Sequence, residues 1–372
     1  MTMPIFMDRH EVTGVTAEEV AEVHQEDLKI QHKHGCRALT YWFDEERGTA
    51  FCLIEAPDRK AVEEMHTDAH GLIPNKIVEV DSSLVEGFLG RIEDPEPSCS
   101  SGESNFLVFQ DPGFRVLMVT EWKDAEIIVS KIGSETGYKF LSNGNRIIQH
   151  AAKQYNGREV KSACDHVVIS FTSVTKAVEC ALEIQRKLEK YLAQTNGIKL
   201  QACIGLSAGE PVTEHPNFFG EAFQLARRLC YIADSRRIML SSKVREQYQE
   251  ENPGVLPEGK ALSSMEEKFL NRLTDTTEKF WNQDDFNVSD FCRRIGVSKS
   301  QLYRKTRKLT GRTPNGFMKE YRLSRSVELL KTHPENIAKV AYEAGFNSPS
   351  YFSKSFKKQY GLLPSEYINN IR

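Results

Sequence analysis

The sequence predicts a multidomain chain: a ferredoxin-like α+β unit, a second α+β unit, and an all-α end made of two helix-turn-helix patterns in tandem. Three observations carry this. Residues 1–92 alternate strand and helix patterns in the order βαββαβ. Residues 113–250 mix buried-type strands with covering helices. Residues 265–372 twice repeat a short apolar-spaced helix, a glycine, and a Ser-capped basic helix. Stretches at 93–112 and 251–264, rich in Pro, Ser and Gly, read as linkers between these domains.

The elements follow in order. Residues 4–12 alternate apolar and polar side chains as a strand does. Thr16 and Glu19 form a capping box that opens a helix over 16–33. Residues 37–43 and 49–56 are strand-like and flank a hairpin turn at 44–48. A helix over 58–70 and a strand over 76–80 complete the first unit. In the second unit, 114–120 is a buried strand and 123–155 is helical. Residues 167–171 and 199–206 read as central strands of a mixed or antiparallel sheet, covered by helices over 173–192 and 221–232.

The two terminal patterns point to DNA. Gly296 and Gly345 stand where a β-carbon would crowd a sharp turn. Ser298 and Ser348 follow as N-caps of basic helices, which can lie in a major groove with their first turns at the base edges. Leu302, Leu309, Phe352 and Phe356 fall on the inward faces. Ser300, Tyr303, Arg304 and Arg307 project outward from the first of these helices, and Ser350, Tyr351 and Lys354 from the second. Charge agrees: residues 268–372 carry 20 Lys and Arg against 10 Asp and Glu, while the rest is acidic. For any one basic residue the alternative is a solvated helix face.

Eight cysteines without a CxxC pair read as reduced thiols in a cytoplasmic protein. No signal peptide is indicated, and no apolar run approaches the ~20 residues that span a bilayer. A secreted disulfide scaffold and a membrane partner are therefore not expected.

From Phe269 to Arg372 the chain resembles the AraC/XylS family of transcription regulators. The likeness rests on Leu302 and Arg304, Gly311 with Pro314, Arg322 with Leu323, and Leu329 with Leu330. It continues through Ile337, Val340, Ala341, Gly345, Phe346, Ser350, Tyr351, Phe352 and Phe356, and ends on Gly361, Pro364 and Tyr367. The resemblance implies two helix-turn-helix units joined by a long helix and seated on double-stranded DNA. It also implies base reading by Ser300, Arg304, Ser350 and Lys354. Lys299, Lys305, Lys308, Lys357 and Lys358 are assigned to phosphates, which makes affinity salt-dependent. Thr306 departs from the larger apolar residue usual in the family.

Residues 114–244 resemble the class III nucleotidyl cyclase core in the stretches 156–166, 205–211 and 219–229. Such cyclases work as dimers with two metal-binding Asp residues. Carried over, the first Asp aligns with Glu121 and the second with Asp165, flanked by Cys164 and His166 instead of glycines. A glycine near the first carboxylate is Asp124 here. The base-selecting Lys matches Lys161, the transition-state Asn aligns with Gln224, and Arg228 is kept. Two-metal phosphoryl transfer needs both carboxylates at a fixed separation, so the site reads as vestigial and the domain as dimerising or ligand-sensing.

Six of the ten histidines lie in the first 70 residues: His10, His24, His32, His34, His66 and His70. His66 and His70 share a helix face, as do His24 and Asp27, while Asp8 and His10 share a strand face. Imidazole with carboxylate suits nickel, zinc, copper or iron. Residues 3–91 resemble a small ferredoxin-like family described as nickel-binding, through 7–10, 41–45, 51–57 and His66, His70, Gly71 and Leu72. The candidate ligands are His10, His24, His66 and His70, with Asp8, Asp27 or Glu55 assisting, and the implied cofactor is Ni2+. His32 and His34 read as cations at a helix end. The sequence thus predicts a homodimeric cytoplasmic transcription regulator, not an enzyme, responsive to nickel or a small-molecule effector. An active cyclase with a DNA-binding appendage and a metal-buffering protein are the rival readings.

Overall fold

A computed structural model describes residues 3–94, 108, 111–194, 200–233, 238–255 and 257–371. The first sheet has strand order β2-β3-β1-β4 and is antiparallel throughout, built from β1 (Ile5–Glu11), β2 (Arg37–Asp44), β3 (Thr49–Glu55) and β4 (Lys76–Val80). Helices α1 (Ala17–Ile30) and α2 (Arg59–Ala69) cover one face. The Thr16–Glu19 capping box opens α1 as expected, and Asp58 caps α2. A helix that the sequence reading did not foresee, α3 (Ser82–Leu89), follows β4 and packs on the opposite face.

The second sheet has six strands in the order β10-β9-β8-β5-β7-β6. They are β5 (Arg115–Lys123), β6 (Arg158–Ser162), β7 (His166–Phe171), β8 (Gln201–Gly209), β9 (Ile238–Leu240) and β10 (Lys260–Ala261). The two end pairings β8–β9 and β9–β10 are parallel, so the sheet is mixed. The helical stretch expected over 123–155 is broken at Gly133, φ 89°, into α4 (Ala125–Ile132) and α5 (Ser134–Gln154). These two, with α6 (Val174–Ala193) and α8 (Ser242–Glu251), contribute to the core on one face of the sheet. The stretch 251–264 is not a free tether. Its β10 pairs with β9 and its Leu262 is fully buried. In the other linker stretch, residues 95–107 lie outside the described residues.

The other face of the second sheet is covered by α7 (Gly220–Ile232) and α9 (Ser264–Phe280). Gly205 makes this approach close: a Cβ there would stand 2.2 Å from the Ala226 carbonyl of α7. Leu229 and Cys230 of α7 join Leu270 and Leu273 of α9 in one core. That core runs on into the first helix-turn-helix, α10 (Val288–Ile295) and α11 (Lys299–Thr310), through Phe291, Ile295, Leu302 and Leu309. The long helix α12 (Pro314–Thr332) leads to the second unit, α13 (Ile337–Glu343) and α14 (Pro349–Tyr360), followed by α15 (Pro364–Ile371). Ile127 of α4 packs into the core of this second unit. No described helix is long and apolar enough to cross a membrane.

Candidate functional site

The first site grows from strand alternation. On β1, Asp8 and His10 face α1 and α2, while Met7 and Arg9 face the second domain. Asp27 of α1, His66 of α2 and His70 at the C-terminal cap of α2 complete the cluster, with Asp8 and His66 fully buried. The Asp8 carboxylate lies 2.7 Å from His66 Nε2 and 3.4 Å from His10 Nε2, and accepts the Cys52 amide at 2.9 Å. On the other side, His66 Nδ1 stands 3.1 Å from both Asp27 Oδ1 and His70 Nε2, and His70 Nε2 is 3.2 Å from Asp27 Oδ1.

Burial opposes charge on these groups, and their mutual pairing overcomes it. Burial raises Asp8 and Asp27, yet the histidines facing each hold both below the usual carboxylate range. Burial lowers His66, yet Asp8 and Asp27 push its imidazole up to about 10. The two carboxylates and the His66 imidazole thus favour each other's charged forms.

Among the described residues, two groups have ligand atoms all within 4.8 Å of one another: Asp8, His10, Cys52 and His66, and Asp27, His66 and His70. The second forms a nearly equilateral triangle. Two cis ligands of one first-row ion at ~2.1 Å stand roughly 3.0 Å apart, so this triangle, with edges of 3.1 to 3.2 Å, fits one face of such an ion. The 2.7 Å contact from Asp8 to His66 is too short for two ligands of one ion and has the form of a carboxylate orienting a histidine. Imidazole nitrogens and a carboxylate suit nickel.

The structure redistributes the other candidates. His24 lines the same small cavity but turns Nε2 to Asp94 at 3.1 Å, and its Nδ1 is buried without a partner. Glu55 is drawn away to Arg37 at 3.6 Å, and His34 pairs with Asp68 at 3.1 Å. Cys52 was missed by helix and strand periodicity within single segments. The pairing of β3 with β1 sets it opposite Asp8, so only the register between these two non-consecutive strands reveals it.

The second site is the pair of basic helices. Ser298 caps α11 and Gln301 bonds back to it at 3.1 Å, while Ser348 caps α14 and Pro349 sits in its first turn. Gly296 and Gly345 adopt φ 74° and 75° at the turns. Leu302, Phe352 and Phe356 are fully buried. Lys299, Ser300, Arg304, Arg307, Ser350, Lys354 and Lys357 are exposed, and Tyr303 is half-buried. Lys308 is exposed but paired with Glu266 at 2.8 Å, and Lys305 lies over the Phe269 ring. Both therefore contact α9, which the sequence reading of them as phosphate contacts did not anticipate.

A third constellation lies between the second sheet and α9 and α12. A cleft of about 380 Å³ there is lined by Glu121, Asp165, Gln224 and Arg228, four of the residues singled out by the cyclase resemblance in the sequence. Lys161, on exposed β6, is not among its lining residues. Arg228 is taken by α9: it donates to Asn271 at 2.8 Å and pairs with Asp275 and Glu278. Asp165 is engaged by His166 at 2.8 Å. Asp124 has φ 55°, a left-handed conformation that favours glycine.

Comparison with known proteins bears on the two ends of the chain. Residues 291–370 match the family Helix-turn-helix domain, and residues 6–80 match Nickel responsive protein SCO4226-like. The HTH-type transcriptional regulator MtrA of Neisseria gonorrhoeae is 33% identical over 85 residues, 23% of this chain and 28% of that protein. The chain spans only 8, 28 and 40% of the length of three curated relatives that it matches. Among solved structures, SCO4226 from Streptomyces coelicolor is 34% identical, covering 20% of this chain and 94% of that one at a TM-score of 0.20. The adenylyl cyclase CyaB from P. aeruginosa is 15% identical, covering 37% of this chain and 81% of that one at a TM-score of 0.32. The chain thus carries a helix-turn-helix segment of the AraC type at one end and a segment similar to nickel-responsive proteins at the other.

Proposed function

We propose that this protein is a homodimeric, nickel-responsive DNA-binding transcription regulator with three domains, at 1–92, 113–250 and 265–372. The observation that carries DNA binding is the pair of Ser-capped basic helices with their reading faces turned to solvent. In this reading Ser300, Arg304, Ser350 and Lys354 meet base edges. Arg304 on guanine would give roughly 1–3 kcal/mol of discrimination. Tyr303, Arg307, Lys299 and Lys357 bind the backbone, with Lys308 joining only if it leaves Glu266.

Asp27, His66 and His70 would hold the metal, with Asp8 orienting His66 and with His10, Cys52 and His24 close by. Bound nickel would supply a fixed positive charge where the metal-free cluster relies on the His66 proton. Arg9, between Asp8 and His10, reports this strand to the second domain through Glu210 at 2.6 Å and the Val212 carbonyl at 3.0 Å. For the middle domain we propose ligand sensing and dimerisation instead of catalysis, because Arg228 is committed to α9 and Glu121 replaces a shorter carboxylate.

The test is to incubate purified protein with fragmented genomic DNA, with nickel or with a chelator, and to sequence what is retained. A motif enriched in one condition only supports the reading. The same motif in both removes nickel as effector. No motif, with Arg304→Ala indistinguishable from wild type, overturns DNA reading.

A further inference from the structure

The cleft between the second sheet and the α9 and α12 helices has a chemistry of its own. Seven carboxylates and four basic side chains line it. Most of its cations are already engaged. Arg228 is held by α9, Lys123 lies 4.0 Å from Glu320, and Arg325 sits over the Trp281 ring. Arg227 is exposed and lies over Phe223. The Glu121 carboxylate, by contrast, makes no hydrogen bond or ion pair among the described residues, the residue being held in the sheet by its backbone alone. Tyr231 adds an independent demand: its hydroxyl is buried and has no hydrogen-bond partner. Its ring and that of Tyr321, 6.4 Å apart, both line the cleft.

A nucleoside triphosphate would bring its negative charge to a lining with excess carboxylate, which Coulomb repulsion disfavours. A bare metal ion lacks a cage, since no group of three ligand atoms gathers here among the described residues. Carboxylate, an unpartnered hydroxyl and tyrosine faces together match an ammonium or guanidinium on a small organic body. The cleft volume is in the range of small-molecule sites.

We propose that this cleft binds a small organic cation, an amine or a guanidine, with Glu121 accepting its charged N–H groups and Tyr231 supplying a further hydrogen bond. This rests on, and deepens, the reading of the middle domain as a ligand sensor. Because α12 joins the two helix-turn-helix units and contributes Tyr321 and Arg325 to the wall, occupancy would bear on how those units are set.

Tyramine, agmatine and putrescine are titrated into full-length protein by calorimetry, beside ATP with Mn2+. At least one amine should bind at one site per chain. Glu121→Gln should weaken it about tenfold or more, and Tyr231→Phe about threefold. Thermal melts report whether each variant folds as wild type does, and if Glu121→Gln does not, Tyr231→Phe decides. No binding by any of the three amines overturns the proposal, as does an affinity that neither substitution changes. Tight binding of ATP with Mn2+ that the amines fail to displace also overturns it. Operator affinity is measured in parallel. Amine binding that leaves it unchanged keeps the site and removes its regulatory role.

Discussion

Thr306 shows how far a single side chain can be read. It departs from the family pattern, and the structure places it fully buried with a hydroxyl that has no hydrogen-bond partner. Thr306→Val removes that polar atom at nearly constant volume and should stabilise the protein by about 1 kcal/mol in thermal melts. Asp124 is a second case, because a left-handed backbone costs a side chain about 1 kcal/mol that glycine avoids. The aspartate and histidine cluster was partly legible. Helix spacing paired His66 with His70, and strand spacing paired Asp8 with His10. Cys52 and Arg9 were not, since each depends on what a neighbouring strand or domain sets against it. The pH dependence follows from His66. Its imidazole is raised from 6.5 to about 10 in the fold, so its stabilising contribution is complete below about pH 6.5 and lost as pH rises towards 10. Asp8 and Asp27 are lowered, so theirs is present above about pH 3.8 and lost on acidification. The melting temperature of metal-free protein should therefore fall from pH 6.5 to 10. His66→Gln should flatten that slope, and a flat wild-type profile would contradict the assigned network.

At the scale of elements, α7 is the piece that sequence periodicity located but could not interpret. Its first turn, with Phe219 just before it and Ala222 within it, packs against the first sheet beside Met7, Trp42 and Phe51. Its last turns pack on α9. The apolar spacing showed a covered helix, but not that two different domains cover it. Phe219 itself adopts φ 51°, unusual for a bulky residue and held by the packing around it. Gly205→Ala should push α7 outward, because its Cβ would meet the Ala226 carbonyl. We expect a lowered melting temperature and altered operator affinity, with nickel stoichiometry unchanged. Helix α3 was missed because it is short and follows β4 with only Asp81, its cap, between them. Its last carbonyls accept from the buried Arg115, at 3.2 Å from both Phe88 and Leu89, and Ser170 bonds Phe88 at 2.8 Å. Arg115→Ala strands the Leu89 carbonyl, leaves Phe88 to Ser170 alone and takes the Arg115 partner from Asp111, and should destabilise the protein by about 3 kcal/mol, measured by denaturant unfolding.

At the scale of the whole molecule, the three-part order was legible because each part has its own hydrophobic period and its own punctuation. How the parts join was not, since each joint is made of residues far apart in sequence, such as Arg9 with Glu210 and Lys331 with Glu126. If nickel acts through β1, Glu210→Ala should leave nickel binding intact while reducing the difference in operator affinity between nickel-loaded and chelated protein. An unchanged difference would place the coupling elsewhere. The shared core of α7, α9 and the first helix-turn-helix has a practical consequence for deletion experiments. A fragment beginning near residue 265 would leave Leu270 and Leu273 without their α7 neighbours, and one ending near 250 would bare Leu229 and Cys230. Each cut would leave a greasy, aggregation-prone seam. A shortened protein that turned on its target genes, or lost them, would report damaged solubility as readily as released control.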